Sequence, residues 1–579
     1  MGVVLYCIKI RKKLLIYLVI KYINNKYNIK CIGSIIILLV VTYFISVTFV
    51  TKGFPQYALD SWIHYEWSHH FADQFWQGEL YPRWLADKNG GLGSPAFYFY
   101  PPVPYFITSI LKIISPNIEN CSRTLGISVA AGIILSAIFF FKLMRRYTSE
   151  SIAALSSACY LLIPYHLNED IYSRSAFAEF WAMTWLPLIF YYTDKILYDN
   201  KQSIIKLSYA YALLIMSHLP TTLIASPFIV FYSLALSKKY EKSKYFIRVV
   251  YGMVLGIGIS AMYLIPALTL QWAVSMNELT DSHFYYGYHF FFTDNEIKND
   301  YEKGLLLPIC SMEIAGITSA LLYILSSKNK FNKIILFWLF VTLFCFFMMT
   351  PISDPIWKIF WVLQIIQFPF RYGTVLSLSV AILIGLAMTK INEINSIIIA
   401  IIAILIWAFV VIWLYLALVS LWKHFSNSVD ITLPVIQREV PEYRPRWASK
   451  DLEINLKRFI SDDDTIRKIV SINDNHLYFI EKWTSRYMII NLLLTNSDTV
   501  YIARYYFPGI NVKVNGKEYP YNISNPEGVI KLNLNQGRYR IEIAHNMTVQ
   551  EKAGYLVTLI SFILSVLMYY KESRIKCLM

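Results

Sequence analysis

The amino-acid sequence predicts a polytopic α-helical membrane protein with about twelve transmembrane helices and an all-β domain inserted before the last helix. Three observations predict this fold class. Charged residues make up 16% of the 579 residues and the mean hydropathy is +0.44, whereas soluble globular chains carry about 25% charged residues. Several apolar runs approach the roughly 20 residues that cross a bilayer. One polar segment near the C-terminus alternates apolar and polar residues, as strands do.

The apolar runs divide the chain into a multi-pass membrane domain, residues 33–420, and a C-terminal transmembrane helix, residues 554–571. No small-residue cleavage site follows the run 33–51, which we therefore interpret as a retained helix rather than a removed signal. The predicted spans of the membrane domain are 33–51, 123–144, 151–168, 177–198, 204–218, 221–237, 247–267, 305–325, 333–350, 372–389 and 396–420.

Clusters of Lys and Arg indicate the orientation, because cytoplasmic loops are rich in these residues. If every cluster is cytoplasmic, the spans alternate without conflict. Both termini, residues 1–32 and 572–579, are then cytoplasmic, and the large first loop 52–122 lies outside the plasma (inner) membrane. The apolar run 99–115 cannot cross in this arrangement and would lie in the interface or re-enter; if it does cross, Arg145-Arg146 face outward. The same clusters account for the net charge of +15, and no nucleic-acid-binding signature accompanies them.

Residues 421–553 predict an extracytoplasmic domain that resembles a β-sandwich. Alternation typical of strands occurs at 476–483, 487–494, 499–507, 529–534 and 539–544. Asn515-Gly516 is a strong signal for a type I′ hairpin turn, which needs positive φ at both positions. The segment 421–550 contains no cysteine, and no Cys or His pair in the chain has metal-ligand spacing, so neither a disulfide framework nor a zinc site is expected.

The first loop carries the most informative pattern. Apolar side chains recur there every four positions, at Ile63, Trp67, Phe71 and Phe75. Residues 61–78 are therefore predicted to form an amphipathic helix that lies on the membrane. Asp60 stands at its start and would share a face with His64. The carboxylate either acts chemically or caps the helix by accepting backbone N–H bonds, and the spacing leaves both interpretations open.

Other polar residues gather where predicted spans meet the outer face. One set lies at the outer end of the span 151–168 and the start of the span 177–198, and it comprises His166, Asp170, Arg174 and Glu179. These charges either mark a site or pair with one another to brace two helices. His218 stands in a sharp turn, and Glu442 opens the β domain. Arg371 either binds a lipid phosphate, for which guanidinium is suited, or extends to the interface as a long basic side chain does.

Seven stretches together resemble one known family. They are Asp60-Ser-Trp-Ile-His64, Tyr81-Pro82-Arg83-Trp84, Phe97-Tyr-Phe-Tyr100-Pro-Pro102, Pro164-Tyr-His166 to Arg174-Ser-Ala-Phe-Ala-Glu179, His218-Leu-Pro220, Gln367-Phe-Pro369 and Glu442-Tyr443. The chain resembles the bacterial and archaeal 6-pyruvoyl-tetrahydropterin synthase-related membrane proteins. The soluble pterin enzyme uses a zinc site with several histidines, and the β domain offers His476 and His545, so we expect no pterin site. The membrane part is similar to GT-C glycosyltransferases and YfhO-like membrane proteins.

This resemblance implies a chemistry. In GT-C enzymes an acidic residue early in the first external loop acts on a sugar carried by polyprenyl phosphate, and Asp60 occupies the matching place. Asp60 would then be a catalytic base or would hold a divalent metal against the donor phosphate. His64 and Glu66 would be its supporting catalytic groups. The expected substrate-binding residues are Arg83, Tyr98, Tyr100, His166, Asp170, Arg174, Glu179, His218, Arg371 and Glu442, with the three arginines as candidates for phosphate binding.

The leading hypothesis is a GT-C-type transferase that moves a sugar from a polyprenyl-phosphate-linked donor to a cell-envelope glycan or lipid on the outer face of the inner membrane. The chain lacks Walker, GxSxG, HExxH and Rossmann glycine patterns, so soluble nucleotide substrates are not indicated. The absence of a decisive catalytic motif keeps an alternative open, a non-catalytic membrane scaffold or lipid-glycan handling protein. A transporter is disfavoured because most charges lie at the ends of spans.

Overall fold

The computed structural model describes residues 29–56, 58–114, 121–198, 203–237, 242–280, 284–293, 298, 300–327, 332–391, 397–426, 440–460, 466–474 and 476–577. Most of the predicted N-terminal cytoplasmic segment, the last two residues of the predicted tail and several of the basic loops lie outside the described residues. The orientation of the termini therefore stays a prediction.

All twelve predicted spans coincide with helices. In chain order the longer helices are α1 (Ile29–Lys52), α2 (Ser61–Trp76), α3 (Val103–Leu111), α4 (Cys121–Met144), α5 (Glu150–Leu162), α6 (Phe177–Tyr198), α7 (Ser203–Ile215), α8 (Leu219–Leu236), α9 (Lys242–Ile259), α10 (Ala261–Thr269), α11 (Leu306–Ser326), α12 (Lys333–Met348), α13 (Gly373–Met388), α14 (Ile397–Ser426) and α15 (Val549–Cys577). Helix α5 ends earlier than predicted because Ile163 precedes Pro164 and adopts an extended ψ of 129°, as residues before proline do.

The prediction of about twelve crossings is only partly supported. Within the described residues, seven helices are long and apolar enough to cross a membrane: Cys31–Lys52, Cys121–Met144, Leu219–Leu236, Tyr301–Ser326, Pro369–Met388, Ala400–His424 and Val549–Tyr570. Two bent helix pairs raise the number to nine if each is one span. Helices α5 and α7 have 13 residues each, and α6 is long but rich in aromatic and charged residues, so these three fall short of the same criteria.

The core of the membrane domain surrounds α13. Its residues 373–387 are all buried, which is expected of a helix that is apolar on every side. Helices α5, α11 and α12 pack against it. Helices α1, α14 and α15 lie at the periphery and expose large apolar side chains, as membrane-facing helices do. Helix α14 continues to Ser426, so the β domain begins later than the predicted residue 421.

The first loop corrects one prediction and supports another. The predicted helix is present as α2, but it does not lie on the surface: its polar residues His64 and Glu66 are buried together with Trp67 and Phe71. The remainder of the loop covers its polar face, which periodicity alone does not reveal. The apolar run 99–115 contains α3, which has nine residues and is about 14 Å long at 1.5 Å per residue. Helix α3 alone is shorter than the roughly 30 Å hydrocarbon core of a bilayer, which agrees with the interpretation that the run lies in the interface or re-enters.

The C-terminal domain is all-β, as predicted. Its strands are β1 (Ile469–Ser471), β2 (His476–Trp483), β3 (Tyr487–Leu494), β4 (Asp498–Tyr505), β5 (Ile510–Val514), β6 (Lys517–Glu518), β7 (Asn522–Ile523), β8 (Val529–Leu534) and β9 (Gly537–His545). They form two antiparallel sheets in the orders β1-β4-β8-β7 and β2-β3-β9-β5-β6. Asn515 and Gly516 have φ of 51° and 78°, so the predicted turn has the required positive φ at both positions.

Candidate functional site

The main chain brings two outer segments together beside Asp60. Leu59 N donates to Ser173 O at 3.3 Å, and Asp60 N donates to Arg174 O at 2.9 Å. Ser173 ends the π-helical turn Tyr165–Ser173, which connects α5 to α6. These two hydrogen bonds hold the start of α2 against this turn, so residues that are far apart in the sequence face one another.

Asp60 does not act as a helix cap. It precedes α2 directly, yet its carboxylate makes no capping hydrogen bond, and within the described part of the chain it has no hydrogen bond or ion pair. The side chain is solvent-accessible although many protein atoms surround it, which is the environment of a group that lines an open crevice. Burial raises the pKa of Asp60, and the nearby charges of Arg174 and Arg371 oppose that rise.

Behind Asp60 lies a buried ionic cluster centred on Glu179. Tyr165 donates its hydroxyl to Glu179 Oε1 at 2.8 Å, and Arg174 Nη1 donates to Glu179 Oε2 at 3.1 Å. The same Nη1 lies 3.5 Å from Asp170 Oδ1. Glu179, Asp170 and Arg174 are almost fully buried. The brace predicted as one interpretation of these charges is therefore present.

Arg371 is bound less completely than Arg174. Its Nη1 donates to Ile366 O at 2.7 Å and to Gln367 Oε1 at 3.3 Å. Its Nε lies 3.7 Å from Glu179 Oε2 and, among the described residues, has no hydrogen-bond partner. The Arg371 guanidinium also remains partly accessible. It is the arginine of this cluster best placed to bind an additional anion.

Aromatic side chains of the first loop and the β domain lie beside Asp60. Tyr100 is partly accessible and packs edge-to-face on Trp67, with ring centroids 4.7 Å apart. His64 Nδ1 and the Tyr105 hydroxyl share a hydrogen bond of 2.7 Å. Burial lowers the pKa of His64 to about 3, so this imidazole is neutral and positions its neighbours. Tyr443 lies 6.4 Å from Tyr100 between ring centroids.

Glu442 places a second carboxylate near Asp60. It is in the short 3₁₀ turn Pro441–Tyr443 that opens the described part of the β domain. Burial raises the pKa of Glu442, and the charge of Asp60 raises it further. We use the term crevice for the region around Asp60, Tyr100, Arg371, Glu442 and Tyr443, whose side chains interact electrostatically or through ring contacts.

Residues 97–419 match a family described as 6-pyruvoyl-tetrahydropterin synthase related domain, membrane protein. This match covers more than half of the chain. The chain belongs to this family. An uncharacterized protein of Lactococcus lactis subsp. cremoris (strain MG1363) is 24% identical over 202 residues, which are 33% of this chain and 32% of that protein. The chain thus spans about a third of the length of this relative.

The region that matches the family contains most of the polar cluster. Arg174, Glu179 and Arg371 lie inside residues 97–419, whereas Asp60 and Glu442 lie outside them. The family membership therefore supports a membrane protein. It assigns no reaction to the crevice.

Several predicted site residues lie elsewhere. Glu66 forms a buried ion pair with Lys88, on the face of α2 opposite to Asp60 and His64. His166 packs between Tyr160 and Phe180, and both of its ring nitrogens lack a partner among the described residues.

His218 is the N-cap of α8. Its Nδ1 lies 2.8 Å from the hydroxyl of Thr221 and accepts a longer bond of 3.4 Å from Thr221 N. The charge of Glu179 acts on it, so it borders the ionic cluster. The structure therefore gives His218 a helix-capping contact, in the turn where the sequence places it.

Arg83 and Tyr98 belong to a second group of polar residues, in which they and Glu551 are fully buried. Arg83 Nε lies 3.3 Å from Glu551 Oε1, and the Tyr98 hydroxyl donates to Glu551 Oε2 at 3.4 Å. Arg486 of the β domain lies 3.8 Å from the same carboxylate and 2.8 Å from Glu79. We call these five residues the junction cluster, because they connect the first loop, the β domain and α15. Its contacts indicate a structural role for Arg83 and Tyr98.

The predicted site residues do not include three aromatic residues of the site, Tyr105, Tyr165 and Tyr443, although Tyr165 and Tyr443 stand in the stretches that resemble the family. One signal could have revealed Tyr165. Gly373 has no side chain where a Cβ would lie 2.5 Å from the Tyr165 ring, so the glycine that begins α13 permits this tyrosine to reach Glu179. Only the tertiary structure reveals Tyr105 and Tyr443.

A metal site built from protein side chains alone is not present among the described residues, where no group of three His, Cys, Asp or Glu converges. Two carboxylates, Asp60 and Glu442, do flank the crevice. Mg²⁺ commonly binds one or two carboxylates together with substrate phosphates and water. The residues present therefore fit a metal that the substrate would help to hold.

Proposed function

We propose that this chain is a membrane-embedded glycosyltransferase of the GT-C type. It would move a sugar from a polyprenyl-phosphate-linked donor to an envelope glycan or lipid on the outer face of the inner membrane. The observation that supports this proposal is the unpaired, accessible carboxylate of Asp60 beside the incompletely bound guanidinium of Arg371.

Each group has a defined part in the proposed reaction. The acceptor hydroxyl gives its proton to Asp60 and its oxygen bonds to the anomeric carbon, while the bond from that carbon to the phosphate oxygen breaks. A carboxylate whose pKa is raised by burial is a stronger base than an ordinary aspartate. Arg371 donates hydrogen bonds to the phosphate and stabilises the polyprenyl phosphate that leaves. Tyr100 and Tyr443 offer ring faces to the sugar.

A divalent metal is the second role open to Asp60. With Glu442, it would hold the ion against the donor phosphate, and the ion would neutralise charge on the leaving group. Activity that EDTA abolishes and Mg²⁺ or Mn²⁺ restores supports this role. Activity that is indifferent to EDTA but falls at acidic pH, where Asp60 becomes protonated, supports the role as base.

The test is a profile of envelope glycolipids and polysaccharides in cells that carry the wild type, a deletion or Asp60→Asn at matched protein level. The control is Asp87→Asn, the same change at an exposed position of the same loop. We expect the deletion and Asp60→Asn to lose the same modification and Asp87→Asn to retain it. A normal profile with Asp60→Asn refutes the proposal.

The junction cluster favours a second candidate function, a non-catalytic scaffold. Its buried ion pairs connect the β domain to the membrane domain, as a protein that displays this domain at the membrane would need. The scaffold hypothesis predicts that Asp60→Asn has no effect, whereas removal of residues 440–548 has the effect of the full deletion. Loss of the modification with Asp60→Asn alone rules it out.

A further inference from the structure

The chain changes direction sharply after α12. Helix Lys333–Met348 and the following helix Pro351–Ile359 meet at 91°. A short 3₁₀ helix, Trp361–Ile366, continues the second arm. If α12 crosses the bilayer, residues 351–366 run parallel to the membrane plane, and we call them the in-plane segment.

The in-plane segment has one apolar face that nothing in the described chain covers. Ile352, Ile359 and Trp361 are 76%, 72% and 67% exposed. Phe360 and Ile365 are exposed beside them. Large apolar patches on a protein surface mark a binding or membrane surface, and tryptophan is enriched at the membrane–water interface.

The opposite face is fixed to the protein. Trp357 is fully buried, stacks on Tyr286 with ring centroids 5.0 Å apart, and donates from Nε1 to Met348 O at 3.2 Å. Lys358 and Asp354 pair at 2.5 Å, and the Tyr286 hydroxyl donates to Asp354 at 3.0 Å. The segment therefore cannot rotate to bury its apolar face without breaking these contacts.

The exposed face is continuous with the outer face of α12. Leu336, Phe340 and Leu343 are exposed along that helix, whose composition is apolar enough to cross a membrane together with Pro351–Ile359. The in-plane segment follows a lipid-facing helix, turns by 91° from it and carries Trp361. These features are typical of a segment that lies at the level of the lipid headgroups.

The far end of the in-plane segment reaches the crevice. Ile366 O accepts a hydrogen bond from Arg371 at 2.7 Å. Gln367 follows with φ of 64°, a value uncommon for a residue other than glycine. Its side chain donates to Leu279 O at 3.3 Å and accepts from Arg371. The guanidinium with the unpaired Nε is thus held at the end of the exposed apolar surface.

We propose that residues 351–366 sit in the lipid leaflet that borders the crevice, and that a lipid-borne phosphate passes along this surface to Arg371. The occupant of the apolar face is the leaflet itself. The location of residues 351–366 in the leaflet is independent of the transferase reaction, whereas the access route for the phosphate rests on the proposed function.

Depth-dependent quenching of a fluorophore by spin-labelled lipids tests whether residues 351–366 lie in the leaflet. The full-length protein, with its seven native cysteines replaced, carries an NBD fluorophore at Ile359→Cys or Trp361→Cys in phosphatidylcholine vesicles. Phosphatidylcholine spin-labelled near the headgroup should quench both positions more than lipid labelled near the chain end. Phe340→Cys on α12 is the lipid-facing control, and Leu477→Cys on the exposed strand β2 is the aqueous control.

Two results would contradict the location of residues 351–366 in the leaflet. In one, the positions in the in-plane segment are quenched no more than Leu477→Cys. In the other, they are shielded from lipid spin labels and crosslink between two copies of the chain, which assigns the face to a protein interface. Quenching at both Ile359→Cys and Trp361→Cys, together with the expected results for the controls, supports the location in the leaflet.

Ligand titration tests the access route. NBD at Ile365→Cys should change its emission saturably with farnesyl phosphate, but not with farnesol or inorganic phosphate. Arg371→Gln should weaken this response about tenfold or more, as expected for the loss of a charge-assisted hydrogen bond, and Arg371→Lys should give an intermediate response. Quenching at Trp361→Cys in the same variants verifies that they are folded. An unchanged emission with farnesyl phosphate refutes the route, whether or not the glycan profile supports a transferase.

Discussion

Replacement of Glu179 by glutamine should destabilise the protein strongly, because this carboxylate is the counterion of two buried guanidiniums. Arg174 lies 3.1 Å and Arg371 3.7 Å from the same oxygen. Removing one partner of a buried ion pair costs about 3–5 kcal/mol, since the other charge remains buried without compensation. The amide oxygen of glutamine can still accept from Tyr165, so we expect a loss near the lower end, about 3 kcal/mol.

Asp60→Asn is the matched control for this substitution. Both changes turn a carboxylate into an amide of the same shape, but the carboxylate of Asp60 makes no hydrogen bond or ion pair in the described chain. Its replacement should therefore alter the free energy of unfolding by about 0.5 kcal/mol or less. The two variants separate a structural carboxylate from a chemical one.

The assay is reversible unfolding of the purified full-length protein in mixed detergent micelles, followed by tryptophan fluorescence. A double-mutant cycle with Arg174→Gln should recover part of the loss, because the second substitution removes the charge that the first leaves unpaired. A Glu179→Gln variant within about 1 kcal/mol of the wild type, outside the range for breaking a buried pair, would refute the reasoning. It would mean that water reaches the two arginines.

Three further predictions follow from buried groups. Burial raises the pKa of Glu169 from 4.5 to about 7. Because the folded state binds this proton more tightly than the unfolded state, the stability of the protein falls as the pH rises from 4.5 to about 7. In the same unfolding assay, Glu169→Gln should be more stable than the wild type by about 2–3 kcal/mol at pH 8 but not at pH 4. Arg83→Gln and Glu551→Gln should each destabilise, with a coupling free energy of about 1 kcal/mol or more when combined, and strict additivity would contradict the contact. Gly373→Ala should lower the thermal unfolding midpoint, because its Cβ would lie 2.5 Å from the Tyr165 ring; an unchanged midpoint would show that the ring can move away.

The elements of this fold could be predicted because each has a local signal. The length of an apolar run predicts a helix, and the alternation 487–494 corresponds to strand β3 residue for residue. The number of crossings could not be predicted in the same way. The length of the run 177–198 suggests one more span, but Glu179 and Asp194 of α6 are buried inside the bundle. Whether such a helix crosses depends on its neighbours rather than on its own composition.

The candidate site could be predicted only in part for a related reason. The sequence marks Asp60, Arg174 and Arg371 as unusual, since charges near a membrane are costly unless they pair or function. It does not show which of them pair. Arg83 and Arg371 both resemble phosphate ligands in the sequence, yet Arg83 meets Glu551 more than 450 positions later in the chain, and no local pattern encodes that contact.

The difference between the two arginines clarifies how a site can be recognised in this protein. Arg83 is enclosed by a carboxylate, a carbonyl and aromatic rings, so the charge that it needs is supplied by the protein. Both arginines keep N–H groups without a hydrogen-bond partner among the described residues, but Arg371 alone of the two has an accessible edge and the in-plane segment beside it. Leaving an N–H donor of a guanidinium unpaired costs free energy. An anion that binds at Arg371 would therefore be stabilised by the hydrogen bonds that the protein itself does not make. Asp60 is the complementary case, a carboxylate without a partner on the same crevice. These two accessible and incompletely bound groups, rather than the buried ones around them, are therefore where a substrate phosphate and an acceptor hydroxyl would bind.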